Sequence, residues 1–166
     1  MNLHKPALDP AEVAPVSASI LPEPYRARVL PRHKQPLGDA LGLTHIGINL
    51  SRLLPGRESS MRHWHTHEDE FVYVLSGEVV LVTNAGEQLL TAGMCAGYPA
   101  NRPDAHHFIN KSIRPAQYLE VGSRFQADLA HYPDDDLMWV QSAKEKTAGR
   151  PKFSTVPARK DGSRYE

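Results

Sequence analysis

Five of the nine histidines, His63, His65, His67, His106 and His107, fall between residues 63 and 107, and with Glu70 they are the side chains best suited to chemistry. Two or three imidazoles with one carboxylate suit divalent Fe, Mn, Co, Ni, Cu or Zn. Such a set can leave one or two positions of an octahedral ion open to water or substrate. Alternate residues of a β-strand point to one side, so His63 and His65 can aim at one point while Trp64 packs outward. Glu70 lies five residues beyond His65, an odd offset, so the polar stretch Thr66 to Asp69 must turn or bulge to bring it back. His106 is expected in a strand of its own, on a face shared with Phe108 and Asn110, and reaches the same point from across the fold. The expected ligands are His63, His65, Glu70 and His106. Fe(II) or Mn(II) are the favoured ions, with Zn, Ni, Co or Cu as alternatives.

Two alternatives stay open on the residues alone. His67 shares the parity of His63 and His65, so His65 with His67 is a second possible pair. His107 must point away from His106 in a regular strand, to support the site or face solvent, and a slip of one residue in register exchanges the two. Glu68 and Asp69 read as solvated turn residues, Asp134 to Asp136 as a solvated turn or helix cap, and Cys95 as a small core residue in preference to a soft metal ligand. Lone histidines are usually surface or hydrogen-bonded residues, the reading given to His4, His33 and His131. Trp64 and Trp139 are expected on the barrel exterior or at a subunit contact.

The elements that must position these side chains are strands. From Gly38 to Gly122 the apolar pattern has period two and is interrupted by turn residues at short intervals, as in an all-β sandwich or barrel. Short strands fit there at THIGINL, HWHTH, EFVYVL, EVVLVT, QLL, HHFIN and QYLEVG, while MCAGYPANRPDA, with two prolines and a glycine, reads as mostly irregular. Residues 1–37 are an extended arm, since seven of the fourteen prolines lie in residues 1–36 and proline limits the arm to an edge strand or a packed stretch. Residues 126–166 form a C-terminal extension packed on or beside the barrel, which occupies 38–125. Strand parity puts Met61, Phe108 and Asn110 on the ligand face, with Ile46, Ile48 and Leu50 on the neighbouring strand and Arg52 at the mouth, where it could meet an acidic substrate. No second carboxylate has the parity of a free general base, which disfavours an isomerase that moves a proton with a side chain. Core packing is the reading for Tyr73 and Tyr98.

These residues resemble the two sequence motifs of the cupins. Gly56, His63, His65, Glu70 and Gly77 follow the first, G-x5-H-x-H-x3,4-E-x6-G, and Gly93, Pro99, His106 and Asn110 follow the second, G-x5-P-x-G-x2-H-x3-N. Three departures lie in loops: six residues separate Gly56 from His63, Asn101 stands where the motif has glycine, and four residues separate Asn101 from His106. Loops tolerate length changes, and Asn is the non-glycine residue best suited to positive φ. The resemblance implies an all-β double-stranded β-helix, or jelly-roll, barrel. It also implies a reaction from a wide set: dioxygenases, isomerases, decarboxylases, lyases and non-catalytic binders.

Composition narrows the partners. With 19 Lys and Arg against 19 Asp and Glu, no overall field holds a polyanion, and no basic patch marks a nucleic-acid or membrane partner. Seven basic residues (Lys144, Lys146, Arg150, Lys152, Arg159, Lys160, Arg164) against three acids (Glu145, Asp161, Glu166) give the last 26 residues a charge of +4 and the body −4. The tail reads as a surface extension. One cysteine allows no internal disulfide, and the first residues contain no apolar leader, so a cytoplasmic location is expected. The reading is a metal-dependent enzyme of dioxygenase or isomerase type acting on a small molecule. Alternatives are a non-catalytic metal-assisted binding or sensor module and a sugar-phosphate isomerase-like enzyme. A homodimer is expected, with Tyr25 to Leu30 added to an edge strand of the neighbour.

Overall fold

The computed structural model describes residues 6–142, 146–147, 150–151 and 154–165. His4, Lys144, Glu145, Lys152 and Glu166 lie outside the described residues. In chain order the elements are α1 (Tyr25–Val29), β1 (His33–Pro36), α2 (Leu37–Ala40), β2 (Ile46–Leu53), β3 (Trp64–His65), β4 (Glu70–Ser76), β5 (Glu78–Thr83), β6 (Gly86–Thr91) and β7 (Cys95–Tyr98). They continue as β8 (His107–Ile109), β9 (Ala116–Ser123), β10 (Ala130–His131), β11 (Met138–Ser142), β12 (Lys146–Thr147), β13 (Arg150–Pro151) and β14 (Ser154–Ala158).

Two antiparallel sheets, ordered β1-β2-β9-β4-β7 and β6-β5-β8, bury their inner faces against each other. Leu53, Val72, Val74 and Tyr118 from the first sheet meet Val79, Leu81, Leu90 and Phe108 from the second in one core. The period-two pattern was the right guide for β4, β5 and β9, which bury Val72 and Val74, Val79 and Leu81, and Ala116 and Tyr118. Two turns show why the motif positions hold the residues they do. Gly77, between β4 and β5, has φ of 71°, and a Cβ there would sit 2.8 Å from the Pro115 carbonyl oxygen. Asn101 has φ of 57°, the left-handed conformation that glycine takes more easily.

The face assigned to β2 needs correction. Ser51 and Leu53 are buried on the inner side, with Gly47 and Asn49 lining a cavity there, so Ile46, Ile48, Leu50 and Arg52 point outward. The cause is α2, which packs on the outer face of β2 so closely that a Cβ on Gly38 would lie 2.9 Å from the Ile48 amide nitrogen. With both faces of β2 partly covered, its alternation did not reveal which side was inside.

The arm and the extension form a second core together. Tyr25 and Val29 of α1 pack with Met61, Tyr132 and Leu137, and Trp139 and Tyr165 close over them. β1 is an edge strand paired with β2, while β10 pairs with β3 and β11 with β14. Tyr25 and Val29 are therefore occupied within their own chain, which corrects the expectation that this stretch reaches a neighbour. Asp134 and Asp135 bind Arg62 and Arg28 as a salt-bridged turn. No helix among the described residues is long and apolar enough to cross a membrane.

Candidate metal centre

Short pairings bring the expected ligands together. His63 bridges His106 through two backbone hydrogen bonds of 3.1 and 2.9 Å, His65 belongs to β3, and Glu70 opens β4. Glu70 Oε2 lies 3.1 Å from His106 Nε2, 3.7 Å from His65 Nε2 and 3.8 Å from His63 Nε2. His63, Glu70 and His106 each offer an atom within 4.8 Å of the others, whereas His65 falls outside that set, grouping with Glu68 and Asp128 and approaching the cluster through Glu70. The alternatives separate sterically. His67 is exposed and stacks on Phe125, and His107 is buried on the opposite side, its Nδ1 3.0 Å from the Ser60 carbonyl oxygen and 3.3 Å from Glu58.

The donor set fits a divalent metal. Glu70 Oε2 is buried with three imidazole nitrogens facing it, and it has no hydrogen bond of normal geometry among the described residues. A buried carboxylate oxygen without a donor is costly unless a cation is bound to it. The rings are oriented for that role. His63 Nδ1 lies 2.8 Å from the Met61 carbonyl oxygen, and His65 Nδ1 lies 2.5 Å from Asp128 Oδ2. With the Nδ1 proton donated to these acceptors, each Nε2 keeps a lone pair directed at Glu70. Tyr98 stacks on His106 with ring centres 3.4 Å apart.

Burial pushes the His63 pKa down to about 4, an effect that the Glu70 charge only partly offsets. Burial alone would raise Glu70, but the adjacent His106 and the charges of His63 and His65 outweigh it and hold the carboxyl at about 2. His63 thus stays neutral and Glu70 ionised near neutral pH, the forms a metal requires.

A cavity of about 300 Å³ opens from His63, Glu70 and His106 past Phe108 to Arg32 and Lys34, and Glu68 and Glu120 also line it. A second, of about 190 Å³, shares Glu68, Glu70 and His106 and opens beside Trp64, Tyr98 and Arg102. Of the pocket residues expected from parity, Phe108 lines the first cavity. Arg52 is exposed on the outer face of β2. Met61 is fully buried in the second core, on the far side of the turn before His63. Asn110 is fully buried and spent on structure. Its Nδ2 donates to the Leu53 and Arg114 carbonyls at 2.9 and 2.8 Å, and its Oδ1 accepts from the Ser112 amide and hydroxyl.

Sequence reasoning missed Arg32, Lys34, Glu68, Glu120 and Asp128. Glu120 follows Ala116 and Tyr118 on the inner face of β9, a parity signal that was available, and Lys34 Nζ meets its Oε2 at 2.5 Å. Glu68 is corrected from a solvated turn residue to a cavity residue. Burial raises its pKa, and its Oε1 accepts from the Phe125 amide at 2.6 Å. Asp128 and Arg32 carry no periodicity signal, because they sit in irregular segments.

A family model described as the cupin domain matches residues 49–122. Among solved structures, a sugar phosphate isomerase from a cupin superfamily of Silicibacter pomeroyi is 40% identical over 97% of this chain and 97% of that chain, with a TM-score of 0.82. A structure from Acidithiobacillus ferrooxidans, for which the same activity has been suggested, is 32% identical over 74% of this chain and 75% of its own, with a TM-score of 0.62. A predicted oxalate decarboxylase of Thermotoga maritima, 20% identical over 72% of this chain and 99% of its own, with a TM-score of 0.59, shares the fold. Comparison with curated proteins finds no match. With both motifs, both sheets and a full-length relative in agreement, the chain belongs to the cupin superfamily.

Proposed function

We propose that this cupin is a metal-dependent isomerase of phosphorylated sugars, holding its ion with His63, His65, Glu70 and His106. The observation that carries the reading is the shared cavity: Arg32 and Lys34 line the same space as the histidine and glutamate cluster and the carboxylate Glu68. The similarity to the Silicibacter pomeroyi isomerase supports it. A bound divalent ion, Fe(II) or Mn(II) in our assignment, supplies Lewis acidity toward a carbonyl or hydroxyl oxygen. Arg32 and Lys34 bind the phosphate, for which Lys34 exchanges its partner Glu120. Glu68 takes the proton from the hydroxyl-bearing carbon next to the carbonyl and returns it to the former carbonyl carbon, while the proton of that hydroxyl passes to the former carbonyl oxygen. Its raised pKa suits both halves of the carbon-to-carbon transfer. The absence of a base, inferred from strand parity, was the objection to an isomerase, and Glu68 answers it from a turn.

The test is to incubate metal-loaded protein with phosphorylated aldoses and ketoses in D2O, following interconversion and deuterium uptake by NMR. Interconversion with deuterium beside the carbonyl is expected, with kcat reduced in Glu68→Gln and KM raised in Lys34→Ala. Equal turnover of unphosphorylated sugars, or no turnover, overturns the reading. Oxygen consumption by the Fe(II) form would favour a dioxygenase, and metal binding without turnover a sensor.

We further propose a homodimer through the outer face of the larger sheet, where Phe71, Tyr73 and Leu75 of β4 are about 40% exposed in one stripe. Light scattering should give a dimer for the parent and a monomer for Leu75→Asp; a monomeric parent ends this assignment.

A further inference from the structure

Asp128 lies in the segment between β9 and β10, outside both cupin motifs, yet its carboxylate reaches the centre of the site. One oxygen, Oδ2, lies 2.5 Å from His65 Nδ1. The other, Oδ1, accepts from the His67 amide at 2.7 Å, the Glu68 amide at 3.2 Å and the Thr66 hydroxyl at 3.3 Å. The same strip of chain is tied a second time, since the Thr66 amide donates to the Leu129 carbonyl at 3.1 Å and the Leu129 amide to the Thr66 hydroxyl at 2.9 Å. The carboxylate is well sheltered, at 9% side-chain exposure. These contacts fall on the stretch that must turn to bring Glu70 back to the histidines.

We propose that Asp128 is a positioning residue for the metal centre, an inference that rests on the ligand assignment above. Through Oδ2 it holds the His65 proton on Nδ1 and leaves Nε2 free to bind. Through Oδ1 it fixes the Thr66–Glu68 turn, and with it the spacing from His65 to Glu70 and the placement of Glu68. A carboxylate behind a ligating imidazole also raises the basicity of the ligand, an arrangement whose loss typically weakens metal binding about 10- to 100-fold. His63 differs, because its Nδ1 rests on a backbone carbonyl that no substitution removes.

The test uses Co2+ as the probe, titrated against a competing chelator, with its visible spectrum reporting ligand geometry. Asp128→Ala should weaken Co2+ binding about 10- to 100-fold and change the spectrum. Asp128→Asn should fall between it and the parent, since an amide oxygen still accepts from Nδ1 but carries no charge. Ser123→Ala removes a different tie on the same turn, the 2.9 Å bond from the Asp69 amide, without touching His65, and should leave affinity and spectrum unchanged. A lower melting temperature for metal-free Asp128→Ala with unaltered Co2+ affinity and spectrum assigns Asp128 a structural role only and overturns the inference. So does an equal loss in Ser123→Ala. If Asp128→Ala does not fold, Asp128→Asn alone decides by the same criteria. A parent protein that binds Co2+ no better than His106→Ala removes the metal centre itself, a result distinct from a parent that binds tightly and an Asp128 series that does not respond.

Discussion

Glu70 is the pivot of the site, since its buried Oε2 faces three imidazole nitrogens. Under the proposed ligand assignment, removing one of those imidazoles acts on the ion as well as on the cavity. His63→Ala and His106→Ala should each leave the protein folded and reduce bound metal, measured by elemental analysis after dialysis, to well under half of the parent's stoichiometry. Full occupancy in both would sink the ligand set. The same groups give the metal-free protein a pH dependence of definite sign. The folded His63 pKa is depressed to about 4 from 6.5, so between those values the unfolded chain binds the extra proton and stability falls as pH falls. Glu70, depressed to about 2 from 4.5, adds a loss in the same direction at lower pH. Melting temperature should thus decline from about pH 6.5 toward pH 4, and His63→Gln should flatten the upper part of that decline. A parent curve level across the range contradicts the buried, neutral His63. That His63, Glu70 and His106 would converge was legible in the sequence because their types and spacing suit a metal set. Arg32, Lys34 and Glu68 were not, since a lone basic residue in an arm or an acid in a turn looks the same whether it faces water or a cavity.

The turns decide how the strands close. Gly77 combines positive φ with a close approach to Pro115 and Ala116, so Gly77→Ala meets both a conformational penalty and a steric one. Its cost should be at least about 2 kcal/mol by chemical denaturation, and a loss below about 0.5 kcal/mol would show that this turn relaxes freely. Strand existence followed from period two, but strand facing did not always follow. For β9 the buried Ala116 and Tyr118 mark the inside, whereas β2 is covered by the barrel on one side and α2 on the other. Its alternation of Ile46, Ile48 and Leu50 therefore suits either assignment, and the wrong one placed Arg52 in the pocket.

Across the whole molecule the arm and the extension support the site from behind. The second core joins α1 to Met61, just before His63, and to Tyr132, which stacks on the His63 ring with centres 5.6 Å apart. Val29 is fully buried there, so Val29→Ala should cost about 2 kcal/mol in denaturant titrations. Removal of residues 1–30 should destabilise the chain and lower its metal affinity, read by Co2+ titration. A truncated protein that melts and binds like the parent would return the arm to the role of a loose leader.

Sequence alone determined the strand-rich barrel, its two motifs and the identity of the clustered histidines and Glu70, because period-two burial and ligand chemistry depend on residue type and local spacing. Tertiary structure alone decided that Asp128 stands behind His65, that Arg32, Lys34 and Glu68 share one cavity with the cluster, and that Met61 and Asn110 do not line it. The physical reason differs by residue: Asp128 meets His65 from 63 positions away, Arg32 and Lys34 reach the cluster from the separate segment at β1, and Glu68 sits in an irregular turn, and none of these leaves a trace in local periodicity.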